Sequence, residues 1–197
     1  CQGHLQDALL EAGLLDAGWA VIGHGLAVNH IISQRMSEAG EAAYIRDSLA
    51  PLQALLGRPV TGWHGAEYGE SSRTPRLLAR AGVQYLLDWP HDERPVPMRT
   101  EAGRILSLPV SADLDDVMAH WHRKIGMPRW VRSVVDALDQ LSADGGRLLV
   151  LNLHPWLIGQ PWRATYFAEL LAQLRRRPDV WFATTDAIAA HAGRHLP

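Results

Sequence analysis

Cysteine is almost absent: the 197 residues hold one, Cys1. A single thiol excludes an internal disulfide framework and any cysteine-rich zinc site. No apolar run approaches the length of a transmembrane helix, so no membrane span is expected. An excess of charge is missing as well. The formal net charge is -2 with no block of like charges, which leaves no footprint for nucleic acid or an anionic membrane. There is no GxGxxG and no Walker loop, so the common phosphate cradles are excluded. An initiating Met is also lacking, and the chain opens into a helical pattern at residues 5–15. The expectation is that the natural N-terminus lies upstream. A cytoplasmic place is the default, with a signal peptide left open because its position is out of view.

The chain is 47% hydrophobic and 20% charged, an ordinary soluble composition. Its length suits one domain over residues 1–197 with a sizeable core. Eight Trp and ten His stand out. Trp in such number lines pockets in many α/β enzymes. Packing in the core or at a subunit interface is the equal alternative, so a homo-oligomer stays open.

The pattern alternates helical stripes with short apolar runs. Helices are expected from a cap at Ser37 to about Leu56, from Thr74-Pro75 to Ala81, near 114–124, over 130–141 and 166–176, and after a cap at Thr185. Strands are expected near 19–22, 59–63, 84–88, 104–108, 147–153 and 180–183. Alternation of this kind predicts a mainly parallel sheet with helical crossovers. The run 148–151 reads as a strand buried on both faces. Pro155 ends it and presents His154 at its carboxyl end, where α/β folds bind ligands. Polar and aromatic residues follow nearly every strand, which favours a barrel with a functional rim over a doubly wound sheet.

Four segments then carry a resemblance. They are Gly23-His24-Gly25, the stretch 62–71 (GWHGAEYGES), Asp88-Trp89 with Asp92 nearby, and Leu151-Asn152-Leu153-His154-Pro155. In order and spacing they resemble the second to fifth conserved blocks of the polysaccharide deacetylase (NodB-homology) superfamily, most closely its allantoinase-like amidase branch. The resemblance implies a distorted (β/α) barrel, here N-terminally incomplete, because no TFDDG-like first block is present. It implies hydrolysis of a carbon–nitrogen bond that is not a peptide bond, with His154 as general acid. It also implies a zinc ion held by a first-block aspartate and two histidines of the second block. His24 is the one candidate ligand here, since the usual i+4 position is Val28; His30 at i+6 is the only other histidine near it. A divalent metal is therefore expected only if an upstream aspartate completes the set, and no complete three-ligand zinc site is expected within the chain. Where a base-orienting arginine belongs, Trp63-His64 stands instead.

Residue chemistry supports the same reaction class. Amide hydrolysis needs an activated water and a proton for the departing nitrogen, and histidine suits proton transfer near neutrality. Glu67 and Asp88 are the visible carboxylates to orient water or pair with a histidine. A solvated loop residue and a helix cap or salt-bridge partner are the respective alternatives. Asp113, Asp115 and Asp116 could supply a further carboxylate at the rim, although three acids in four residues are more often a solvated helix start. His24, Trp63, Trp89 and Trp156 are candidates to bind a small-molecule or glycan amide substrate. The competing reading is a catalytically silent barrel that binds a ligand or partner.

Overall fold

A computed structural model describes residues 13–14 and 16–196. The helical stripe expected at 5–15 and Cys1 fall outside the described residues, apart from positions 13 and 14. The described chain forms two compact units. The first takes the chain through Trp89, then Pro95–Leu108, then the stretch from Ala183 onward. The second takes Pro90–Arg94 and Pro109–Phe182.

The first unit begins its regular structure where expected. Ser37 caps helix α1 (Glu38–Leu56), its side chain accepting from the Gly40 amide at 3.1 Å. Gly57 ends the helix in the left-handed region, at φ 62°. Tyr44, Ile45, Leu49 and Leu52 lie on its buried face. Strand β1 (Gly62–Trp63) and helix α2 (Thr74–Arg80) follow, with Pro75 in the first turn of α2. Strands β2 (Tyr85–Leu86), β3 (Val96–Thr100) and β4 (Gly103–Ser107) complete a sheet ordered β1-β2-β4-β3. The pairs β1–β2 and β2–β4 are parallel, and β3–β4 is antiparallel. Trp63, Leu78, Leu86 and Ile105 fill the core with the buried face of α1. Helix α6 (Thr185–His195) belongs to this unit, with Thr184 rather than Thr185 as its cap. Tyr85 reaches that helix: its hydroxyl lies 2.8 Å from Thr185 Oγ1 and donates to Asp186 Oδ1 at 2.7 Å. Gly62 permits this, since a Cβ there would lie 2.4 Å from the Tyr85 hydroxyl.

Two expectations for this unit change. The stretch 19–22 is not a ladder strand: it meets the sheet at a single parallel bridge between Gly23 and Trp63, and Trp19 stays exposed. Residues 96–100, where no strand is expected, form β3. Pro97 is tolerated because β3 is at the sheet edge, where a missing donor costs no central ladder bond.

The second unit is helical. Residues 112–114 form a 3₁₀ turn and 117–122 a π-helical turn. Helix α3 (Met127–Asp144) buries Met127, Trp130, Val134 and Leu138, a stripe at helical spacing. Helix α4 (Pro155–Ile158) and helix α5 (Pro161–Leu174) follow. Leu170 and Leu174 of α5 meet the α3 stripe in the core.

The expected strand buried on both faces at 148–151 is corrected. Residues 148–153 are only partly buried and form no ladder strand. Leu149, Leu151 and Leu153 pack on the core, so one face of the segment is apolar-covered. Its carbonyls still find donors: Ser111 N–H to Val150 O at 3.1 Å and Asp116 N–H to Asn152 O at 3.3 Å. At 180–182 Val180 packs inward, whereas Trp181 and Phe182 are exposed and unladdered. No helix among the described residues is long and apolar enough to cross a membrane.

Candidate active site

In the second unit His154 closes the 148–153 segment and caps α4, whose first residue is Pro155. Pro155 therefore ends the extended run by opening a helix. Asp116 is wholly buried and spends both carboxylate oxygens on this one residue. Oδ1 accepts from His154 Nδ1 at 2.7 Å, and Oδ2 accepts from the His154 amide at 2.8 Å. The histidine side chain remains 32% exposed. Nδ1 is thus committed as a donor, and Nε2 is the nitrogen left for chemistry. Trp156 stands beside it, 6.0 Å between ring centroids, and makes an edge-to-face pair with Trp121 at 6.0 Å. Both indoles are more than half exposed, and Lys124 Nζ lies 5.1 Å from the Trp121 centroid.

Asp115 is equally committed. Its Oδ1 accepts from the Met118 amide at 2.9 Å and its Oδ2 from Asn152 Nδ2 at 2.8 Å. Asp115 and Asp116 are therefore buried partners of the His154 segment, not the solvated helix start expected from three acids in four residues. Asp113 alone keeps that character.

The same residues bring three potential metal donors together, a grouping the zinc expectation built on His24 did not include. Asp115, Asp116 and His154 offer ligand atoms within 4.8 Å of one another. Among the described residues this is the one such group, and His24 is not part of it. The two-histidine arrangement does not fit this chain: the i+4 residue from His24, Val28, is an exposed valine. Chemically the acidic group can hold a divalent cation, but every carboxylate oxygen in it already accepts a protein hydrogen bond.

In the first unit the carboxyl ends of β1 and β2 bring a second cluster together. Asp88 is buried, its side chain 1% exposed. Its Oδ1 accepts from the Gly65 amide at 2.6 Å and lies 3.0 Å from His64 Nδ1. Gly65 allows that approach: a Cβ there would meet Gly69 O at 2.7 Å and Asp88 Oδ2 at 3.4 Å. His24 is exposed; its ring stacks on His64 at 5.1 Å, and its Nδ1 donates to the His64 carbonyl at 2.7 Å. Glu67 is exposed on a turn where it and Tyr68 both adopt positive φ, 53° and 57°. Trp89 is partly exposed, its indole N–H donating to Glu70 Oε2 at 3.0 Å. Trp63 needs correction as a substrate-binding candidate: it is fully buried among core side chains and has no face to offer a ligand.

Sequence reasoning missed His64, Glu70 and Asp116. For His64 the signal was present, a titratable side chain standing where the resemblance expects a cation. For Asp116 it was hidden, because adjacency to Asp113 and Asp115 suggested solvent.

No family model matches the chain, and no curated protein matches it by sequence. Solved structures do. The probable polysaccharide deacetylase from Pseudomonas aeruginosa PAO1 superposes with a TM-score of 0.82 at 25% identity, over 95% of this chain and 64% of that one. Puue allantoinase superposes with a TM-score of 0.83 at 25% identity, over 94% and 62% of the respective chains. The 4-alpha-glucanotransferase from Thermococcus litoralis, TM-score 0.66 at 11% identity over 95% of this chain and 30% of that one, shares the fold alone. The chain thus spans less than two thirds of the length of the two more similar structures. These neighbours match the polysaccharide deacetylase (NodB-like) superfamily whose motifs the sequence resembles.

Proposed function

We propose that this protein hydrolyses a carbon–nitrogen bond other than a peptide bond, with His154 as general acid. The fold this reading calls for is the superfamily's distorted (β/α) barrel formed by one domain, to which β1, β2 and β4 contribute adjacent parallel strands. The single observation that carries the reading is the closed His154–Asp116 pair, set in a chain whose structural neighbours are deacetylases and an allantoinase. Asp116 fixes the ring orientation and makes Nδ1 the permanent donor. Nε2 is left to carry the proton that moves. As the C–N bond breaks, His154 Nε2 gives that proton to the departing nitrogen, and Asp116 stabilises the charged ring before the transfer. Glu67 is the carboxylate proposed to orient the water, and Asp88 acts on that side by pairing with a histidine, His64. The open indoles Trp156 and Trp89, with His24, are proposed as substrate contacts, and the substrate is a glycan N-acyl group, a ureide or a cyclic imide.

A divalent cation on Asp115, Asp116 and His154 would supply a Lewis acid for the carbonyl. That use competes with the hydrogen bonds already made there and with the role of His154 as acid. The acid role is the one the geometry favours.

The test is direct. The full-length protein is incubated with N-acetylated sugar oligomers, linear ureides and cyclic imides, and released amine and carboxylate are quantified. Turnover of one class, abolished in His154→Ala while substrate binding persists, supports the proposal. Turnover unaffected by that substitution rules out His154 as the acid.

A further inference from the structure

We propose that His64 is a catalytic general base of this protein, aimed by Asp88. This rests on the hydrolase reading above and supplies its water-activating group.

A base must come within hydrogen-bond reach of its water. Asp88 is too deeply buried to do so itself, with 1% of its side chain exposed, whereas the His64 side chain keeps 12% of its surface open. Because ionised Asp88 can only accept, His64 Nδ1 donates to it across 3.0 Å, and Nε2 holds the lone pair. The ring is then held from further sides. His24 stacks on one face at 5.1 Å and 25°, and Tyr68 meets it edge-on at 5.0 Å and 74°. Tyr68 and Glu67 occupy the left-handed region without being glycine, a strained turn of the kind that persists where surrounding structure enforces it. Such a ring is locked in orientation before any substrate arrives.

The third member is Glu70. Its Oε2 accepts from the Trp89 indole at 3.0 Å. Its Oε1 and Asp88 Oδ2 are both buried, and no donor reaches either one from elsewhere. Burial, and the nearby Asp88 carboxylate, both disfavour a charged Glu70. The indole occupies Oε2, which leaves Oε1 as the oxygen to carry a proton. Burial, then the hydrogen bond and charge of Asp88, pushes the Glu70 carboxyl up to about 10. The groups facing His64 are Asp88, His24 and Tyr68, with Glu70 behind Asp88.

The step balances. His64 Nε2 takes a proton from water, and the water oxygen forms a C–O bond to the amide carbon as the carbonyl pair moves onto its oxygen. When that pair returns, the C–N bond breaks and the nitrogen leaves with a proton from the general acid. His64 and the newly formed carboxylic acid each release a proton and the general acid takes one back, so one water and one amide yield a carboxylate, an amine and one proton.

Asp88 and Glu70 are positioning residues, and the test separates them from a merely structural role. In the full-length protein, His64→Gln keeps a hydrogen-bonding group beside Asp88. On whichever amide class the wild type turns over, kcat should fall on the order of 10²–10⁴-fold with KM nearly constant. Nitrogen-15 NMR of the wild-type ring, assigned through its contact with Tyr68, should show Nδ1 protonated and Nε2 bare. Asp88→Asn should shift that ring toward the Nε2–H form. An Nε2–H ring in the wild type, or turnover that survives His64→Gln undiminished, overturns the base role alone. No amide turnover by the wild type in any substrate class removes the hydrolase reading, and the base role with it. The wild-type tautomer needs no variant, so it decides even if His64→Gln fails to fold.

Discussion

Two aspartate–histidine pairs, built from the same side chains, differ in what their aspartates do with the second oxygen. Asp116 gives both oxygens to His154, one to the ring and one to the amide. Asp88 shares one oxygen between His64 and Gly65 and leaves the other buried, and its carboxylate helps hold Glu70 in the acid form. The first arrangement is closed: both oxygens of its aspartate are taken by one residue. The second has a third acid in it, so its charge depends on where one proton sits. A buried carboxylate can thus serve purely as an orienting clamp, or it can tie a histidine to pH, and the spare oxygen decides which.

The closed pair is where the largest effect is expected. His154→Ala should lower turnover on the order of 10²–10⁴-fold, read as initial rates at saturating substrate, with ligand affinity retained. An equal loss in affinity would make His154 a binding residue instead. Asp116→Asn is expected next, at about 10–100-fold, the usual scale for losing the partner that orients a functional histidine. Its signature is a His154 ring whose tautomer is no longer fixed by NMR, and an unchanged tautomer with full activity would show that the clamp is dispensable.

The open pair is best broken by pH. The folded-state pKa of Glu70 is raised from 4.5 to about 10, so the folded chain holds a proton that the unfolded chain has lost. Its contribution is fully present below about pH 4.5 and falls as pH rises toward about 10, at no more than about 1.4 kcal/mol per pH unit for one proton. Glu70→Gln keeps the neutral shape, so its melting temperature should fall less than the wild type's between pH 6 and 9. Parallel melting curves for the two proteins would place the shared proton elsewhere. The smallest effect expected is at the acidic group of the closed pair: dialysis against EDTA should leave turnover unchanged, because its carboxylate oxygens are already engaged by the protein. Loss of activity restored by added zinc would reverse the assignment of His154.

Much of this was legible in the sequence where local chemistry decides. Ser37 and Gly57 bracket α1 because capping is set within a few residues, and the stripe of Ile45, Leu49 and Leu52 fixes its buried face. His154 before Pro155 marked the end of the extended run, and there α4 opens with Pro155 as its first residue. The 148–153 segment was misread because a continuous apolar run does not say whether a neighbour supplies a ladder or only a packed face. Strand β3 was missed because Pro97 argues against a strand unless edge position is known. The partners Asp116 and Glu70 were invisible for a different reason. Each matters through a residue more than fifteen positions away, and no local pattern records whether such a carboxylate ends in water or against another side chain.

The interleaving of the two units also has a consequence for how the chain is made. The first unit takes residues on both sides of the 109–182 stretch that builds most of the second. Its Tyr85 hydroxyl waits for Thr185 and Asp186, and Thr61 Oγ1 donates to the same Asp186 carboxylate at 3.0 Å. Ribosomes add roughly 5–20 residues per second, so on the order of several seconds separate the sheet from the helix that completes it. During that interval the Tyr85 ring and the glycine gap it crosses are without their partner. Co-translational folding should therefore finish the later-made unit first and the earlier-made unit last, and a chaperone would find its substrate in the β1–β2 segment of the nascent chain rather than in α3 or α5.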